Sequence, residues 1–319
     1  MEQKHEQGTV YVDESNLDIV LSTKPLNMFQ LFWKEIKHDK LALFCLTLLT
    51  VIFLGIYIGT PIVESQVDVR HTDLLRRNLS PELARERSEP TYQTFLGTDS
   101  TGRFMAPLLI VSARNSLNIA LAVTAISFII GLTVGVIAGF YGSYVDMVIM
   151  RITDTITMLP NFMVIITIIS IVPSRSVPVF IMLLTMFSWM GRTRLTRAAA
   201  LQNRNLDYIS ASKTMGTRNI VIIFREMLPN MVDVVVANFV LSLAGGIGME
   251  TGLSLLGYGM GMEYPSLGTI ISNALLTINL DFRWWNWAPA IILVVTIMLC
   301  ITFVGNVLQR VADPRQRLV

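Results

Sequence analysis

Charge is scarce in this chain: 15% of its 319 residues are Asp, Glu, Lys or Arg, where an ordinary soluble domain carries about 25%. Together with a hydrophobic content of 52%, that deficit excludes a soluble globular domain and implies life in a bilayer. Histidine is scarcer still. His5, His38 and His71 all lie outside the long apolar runs, and no HExxH or paired-histidine spacing offers a zinc site. Cys45 and Cys300 each sit inside an apolar run, which suggests neither a disulfide framework nor a thiolate metal site. There is no GxxxxGK[ST] phosphate loop, so the chain does not hydrolyse nucleotide by that route. The serines in or beside the apolar runs have no intramembrane histidine or obvious lysine base next to them, which leaves nucleophilic catalysis unsupported. The net charge of +2 is small and its basic residues are dispersed, so nucleic-acid binding has little support. Uphill movement of a solute would therefore draw on a partner or an ion gradient.

What is present is a series of apolar runs long enough to cross a hydrocarbon core of roughly 30 Å, which takes about 20 helical residues. Six are found. The first is 41–60, stopped at Pro61; it lies too deep in the chain, and lacks the small-residue cleavage site, for a signal peptide. The second and third, about 116–139 and 144–172, are joined by a tight Gly139-Phe140-Tyr141-Gly142-Ser143 turn into an antiparallel hairpin. The fourth is 177–200, with Arg192, Arg194 and Arg197 in its final turns, the fifth about 232–256 and the sixth about 284–307.

Basic residues in short loops stay on the cytoplasmic side. Lys4, Lys24, Lys34, Lys37 and Lys40 precede the first span. Arg192, Arg194, Arg197, Arg204, Lys213, Arg218 and Arg225 fall between the fourth and fifth, and Arg310, Arg315 and Arg317 follow the sixth. An even number of spans puts these three regions on one side, and the expected topology is N-in, C-in. The basic residues of the 62–113 loop oppose this, but long loops translocate largely regardless of charge. The expected organisation is an all-α integral membrane protein: a cytoplasmic segment 1–40, a first helix 41–61, an extracellular loop 62–113, a core of five helices over 114–309 that contains a cytoplasmic loop 201–231, and a cytoplasmic tail 310–319.

The loop between the fourth and fifth spans is the most informative segment. Tyr208, Ala211 and Met215 recur at helical spacing as a modest apolar stripe, with Asp207, Ser210 and Lys213 on other faces. Gly216 then breaks the helix where a left-handed turn costs least, a second helix is expected over 217–227, and Pro229 is expected to end it before the fifth span. Such a helix-glycine-helix hairpin can dock a soluble partner. An interfacial helix resting on lipid headgroups has the same pattern.

Polar residues inside spans are the other pointers, because a buried charge faces protein or water. Arg151 stands three residues before Asp154, close enough on one helix face for a structural ion pair, with Asp146 one turn earlier. Asp233 suits a helix N-terminal dipole. Glu250 follows Gly245, Gly246 and Gly248, whose missing side chains permit a bend or a close helix approach; it reads equally as a pathway or gate residue and as a buried structural partner. The methionines of the spans lack ligand spacing and read as core fillers. The 265–280 segment is too short to span and is expected to dip into the outer leaflet, and Trp284, Trp285 and Trp287 fit an aromatic anchor at the outer interface.

The hairpin resembles the EAA loop of ABC-importer permeases, whose pattern is EAA, three residues, Gly, nine residues, a hydrophobic position and a Leu-Pro ending. Ser210-Ala211-Ser212 occupies the triplet, Gly216 follows after three residues, and Leu228-Pro229 closes the element. It departs from the pattern at Ser210, Ser212 and Glu226, which stand for glutamate, alanine and the hydrophobic position. LGTDSTGR at 96–103, Ala113-Arg114-Asn115-Ser116-Leu117, YGSYVDMVIMRITD at 141–154, Leu159-Pro160, ETGLSLLGYG at 250–259, PSLG at 265–268 and Ala312-Asp313-Pro314-Arg315 occur in the order found in peptide and nickel permeases. The chain is thus similar to the C-type membrane subunit of an oligopeptide or dipeptide importer.

That resemblance implies a subunit, not an enzyme. It would pair with a homologous second permease, two cytoplasmic ATP-binding subunits and an extracellular peptide-binding protein, lipid-anchored or periplasmic, in a bacterial plasma membrane. ATP and Mg would sit on the ATPase partners and no cofactor on this chain. Asp207, Tyr208, Ser210, Ala211, Ser212, Lys213, Met215 and Gly216 would meet the ATPase. The alternatives are a nickel or other metal importer of the same family and an ion-coupled secondary transporter; for the last, no inverted repeat is evident.

Overall fold

A computed structural model describes residues 28–87, 92–172, 176–261, 263–275 and 283–312. Among the described residues the chain is nearly all helix, without a strand and with one isolated bridge between Thr98 and Phe104. The helices are α1 (Met28–His38), α2 (Lys40–Gln66), α3 (Pro81–Arg87), α4 (Met105–Tyr141), α5 (Ser143–Thr157), α6 (Asn161–Ile171), α7 (Val177–Arg204), α8 (Asp207–Thr214), α9 (Asn219–Tyr258), α10 (Leu267–Leu275) and α11 (Ala288–Ala312). Four of them, α2, α4, α9 and α11, are long and apolar enough to cross a membrane, and α5 with α6 makes a fifth if the bent pair counts as one span. The expectation of six included α7, which is 28 residues long but carries Arg192, Arg194, Arg197 and Arg204 in its second half.

Several helix ends differ from the sequence expectation, three of them at prolines. α2 does not stop at Pro61 but runs through it to Gln66; a proline inside a helix removes one hydrogen bond without always ending the helix. α4 starts at Met105, so the loop expected over 62–113 is helical at both ends. The third span is broken by 72° between Thr157 and Asn161, where Pro160 follows Leu159. Pro229, expected as a stop, lies inside one 40-residue helix. There the turn widens: Ile222–Met227 is a π-helical stretch, and the Leu228 N–H reaches back five residues to the Ile223 carbonyl. The wide turn accommodates the ring and the missing N–H of Pro229.

α4 is the central helix. Toward one end its Met105, Leu108, Leu117 and Ala120 join the main core with Ile247 of α9, Leu267 and Ile270 of α10 and Ile297 and Ile301 of α11. At the other end it lies against α7 in the most extensive helix pair among the described residues. The cause is a glycine at every fourth residue. A Cβ on Gly131 would stand 2.7 Å from Arg192 Cβ, on Gly135 2.6 Å from the Thr193 carbonyl oxygen, and on Gly139 2.6 Å from Ala200 Cβ. Gly131, Gly135 and Gly139 share one face and let the two backbones meet. Gly135→Leu is expected to force these helices apart at a cost of at least about 1–3 kcal/mol, the range for overpacking a close contact; the check is a fall in the detergent melting temperature and in membrane accumulation.

The ends of the helices sort into two clusters. At one end sit the described residues of 67–87 and 92–104, α10 and Trp284–Asn286, with Trp285 buried and Trp284 half exposed. Asp99 organises the LGTDSTGR loop: it accepts from the backbone N–H of Thr101 at 2.8 Å and of Arg103 at 2.9 Å and pairs with the buried Arg103 guanidinium at 2.8 Å. At the other end α1 packs Ile36 against Val307 and Val311 of α11. Asp39 caps α2 through the Ala42 N–H and is held below the usual carboxylate range, first by its hydrogen bond from Arg310 and then by the Ala42 N–H. The α7–α8–α9 connection lies at the α4 end marked by Gly142, the same end as Val136 and Phe140.

Candidate functional site

The α8 hairpin is an eight-residue helix with one face down. Ile209 is completely buried and joins Val136, Phe140, Ala200, Ile222, Ile223, Met227 and Met231 beneath the bundle, and Ser212 is buried beside it. Asp207, Tyr208, Ser210, Ala211, Lys213 and Met215 are exposed. The stripe of Tyr208, Ala211 and Met215 thus faces outward, with Met215 76% exposed, while Ile209 and Ser212 anchor the helix. Ile220 and Phe224, also exposed, extend the apolar surface onto the start of α9.

The turn follows from the backbone. Gly216 has φ +78°, its N–H bonds the Lys213 carbonyl at 3.0 Å, and the next N–H, of Thr217, bonds the Ser212 carbonyl at 3.1 Å. These are the two bonds of a Schellman ending, which wants glycine at the left-handed residue. A Cβ on Gly216 would meet nothing, so the demand comes from φ alone.

Polar contacts fix the small helix to its neighbours. Ser212 Oγ donates to Glu226 Oε1 at 2.8 Å. Asn230 Nδ2 donates to the Tyr208 hydroxyl at 3.1 Å, and that hydroxyl donates to Asn203 Oδ1 at 3.3 Å. Lys213 Nζ stands 4.8 Å above the Phe140 ring, a cation–π contact. Sequence reasoning noted Glu226 only as a departure from a pattern and passed over Asn203 and Asn230, because nothing in linear spacing says that residues 14 or 22 positions apart will touch.

The expected ion pair is different. Asp154 pairs with Arg194 of α7 at 2.8 Å, and Asp146 is held bidentately by Arg197; among the described residues Arg151 makes no ion pair. Residues 151 and 154 do share a helix, but α7 packs beside α5 and brings two arginines within reach of its carboxylates.

Glu250 is fully buried. Ser254 Oγ donates to its Oε1 at 2.8 Å, and the hydroxyls of Ser116 and Ser266 face it as well. Ser116 Oγ also accepts from the Leu267 N–H at 3.0 Å, and Asn115 Nδ2 donates to the Pro265 carbonyl at 2.9 Å. Glu250 therefore ties α9 to α4 and to the segment leading into α10, an arrangement that suits a buried partner. Of the two glycines singled out with it, Gly246 allows close approach, its missing Cβ lying 2.9 Å from Thr124 Oγ1, whereas Gly245 is exposed and faces open space. α9 runs as uninterrupted α-helix through both.

Residues 131–318 match the family described as "Binding-protein-dependent transport system inner membrane component". The chain is 41% identical to the oligopeptide transport system permease protein OppC of Lactococcus lactis subsp. cremoris (strain SK11), over 89% of this chain and 93% of that protein. It is 31% identical to the dipeptide transport system permease protein DppC of Bacillus subtilis (strain 168), over 89% and 85%. Among solved structures, a chain of the inward-facing MetNI methionine ABC transporter shares the fold with a TM-score of 0.54 at 21% identity, covering 65% of this chain and 96% of that one. The matched residues run from the glycine face of α4 to the end of the chain and include the hairpin, so the chain belongs to the family of binding-protein-dependent transport system inner membrane components.

Proposed function

We propose that this chain is a membrane-spanning permease subunit of an ATP-driven peptide importer. The observation that carries the reading is the near full-length similarity to an oligopeptide permease, in a chain whose family-matched region presents an outward apolar face on a rigidly held α8. In this reading α7 and the bent α5–α6 pair both cross the bilayer, giving six spans in the plasma membrane of a bacterium with N- and C-termini inside. The hairpin end of the bundle is cytoplasmic, residues 28–40 and 310–312 lie on that side, with the remainder of the expected cytoplasmic segments 1–40 and 310–319 outside the described residues, and residues 67–87 and 92–104 lie on the extracellular side.

The chain itself would line half of a peptide pathway, with a homologous second permease supplying the other half. Two cytoplasmic ATPase subunits would hold ATP and Mg and do the hydrolysis, and an extracellular peptide-binding protein would deliver the substrate. Asp207, Tyr208, Ala211 and Met215 would lie against one ATPase, and Gly216 would keep the hairpin angle. Affinity purification of the tagged chain from membranes tests this: a second permease and ATP-binding subunits are expected to co-purify stoichiometrically, and their absence would defeat the reading.

The topology has its own check. A membrane-impermeant maleimide added to intact cells is expected to label Leu75→Cys, at a site 87% exposed on the outer elaboration, and to leave Met215→Cys unlabelled until the cells are opened. The reverse pattern would invert the orientation.

A further inference from the structure

Two residues of the hairpin that depart from the family-like pattern touch each other. Ser212 replaces a small apolar residue and Glu226 an apolar one, and their side chains meet at 2.8 Å. Between α8 and α9 the contacts are of two kinds. Ile209 packs apolar surface, which resists separation but permits sliding. Hydrogen bonds are directional and fix register. The bond from Ser212 originates on the buried face of α8, whereas Tyr208, the other side chain tethered to α9, is exposed.

The acceptor's position gives the contact its consequence. Glu226 lies in the π stretch Ile222–Met227, the one part of the early α9 where the hydrogen-bond ladder is slack. Its second oxygen, Oε2, is buried with no partner among the described residues. If Ser212 withdrew, the carboxylate would have lost its one hydroxyl donor on α8, a costly state for a partly buried charge.

We propose that the Ser212–Glu226 bond is a latch that makes α8 and the π turn of α9 move as one body, with Glu226 a positioning residue for transmission between ATPase and spans. The inference rests on the reading of α8 as the ATPase-facing helix. Displacement of α8 then reaches α9 through the π turn, and from α9 reaches the Glu250 junction that holds the segment before α10.

The test is the amount of peptide imported per ATP hydrolysed, measured in proteoliposomes that contain the whole transporter. Ser212→Ala and Glu226→Ile are each expected to lower this ratio about tenfold, the scale of one charge-assisted hydrogen bond, with co-purification of the ATPase unchanged. Glu226→Gln keeps an acceptor for the serine and is expected to stay near wild type. The double variant Ser212→Ala/Glu226→Ile removes the same single bond and is expected to show about the same tenfold loss as either single variant rather than the product of the two. Wild-type coupling in both single variants, a double variant down by about a hundredfold as two independent losses would give, or loss of the ATPase from the single variants would overturn the latch. Unchanged ATPase association and transport in Ala211→Arg would instead sink the ATPase-facing reading of α8, and the two failures are thereby distinguishable.

Discussion

Gly216→Pro is expected to abolish ATP-driven transport while leaving the chain inserted in the membrane. Proline fixes φ near −65°, and the turn needs φ +78°. It also deletes the N–H that bonds the Lys213 carbonyl, and the shifted backbone takes the Thr217–Ser212 bond with it. The cost at the turn is about 3 kcal/mol or more, far above what an eight-residue helix anchored by Ile209 and Ser212 can absorb. The spans are untouched, since apart from the two chain neighbours no atom lies within 4 Å of the position a Cβ would take. Gly216→Ala provides the graded control: it strains the left-handed residue by roughly 1–2 kcal/mol but keeps the N–H, and should retain partial transport. The readout is peptide-stimulated ATPase activity in the reconstituted transporter, lost in the proline variant and reduced in the alanine variant. Full stimulation in both would remove the hairpin from the coupling route.

Ala211→Arg is expected to detach the ATPase. Ala211 lies between Tyr208 and Met215 on the outward face of α8, where a methyl group leaves room for a close neighbour. In the isolated chain Asp207, one turn earlier on α8, is placed to pair with a guanidinium there, but docking would still drive that bulky charged pair against an apolar contact and desolvate it. A cost on the order of 3 kcal/mol corresponds to a loss of affinity of about a hundredfold. Because the residue is exposed in the isolated chain, the change should leave folding and insertion intact, which separates it from Gly135→Leu, whose effect is on the α4–α7 packing itself. The measurement is the amount of ATPase recovered with the tagged chain.

Helix content was legible in the sequence because hydropathy and helix length are local properties, whereas the expected six spans stand against four such helices, or five with the bent pair, among the described residues. Helix ends were less so. Pro61, Pro160 and Pro229 carry the same local signal, yet the first lies within α2, the second bends a span by 72°, and the third sits beyond a π turn. Whether a proline stops a helix depends on what neighbouring turns can absorb, and that is set by packing. The outward stripe of α8 was legible from spacing, and Gly216 from its chemistry. The Arg194–Asp154 and Ser212–Glu226 contacts were not, because both depend on which helix lies next to which. The glycine face at 131, 135 and 139 was open to sequence reasoning through its four-residue repeat, but only the turn residue Gly139 drew notice.

The central claim is that this chain couples a partner's ATP hydrolysis to peptide import through α8. The most direct measurement is uptake of a labelled oligopeptide into proteoliposomes that contain this chain, its second permease and its ATPases, with the peptide-binding protein inside the uptake medium. The account predicts uptake that requires ATP on the α8 side, ignores proton and sodium gradients, and disappears in Gly216→Pro. Uptake that proceeds without ATP and follows an ion gradient would contradict it.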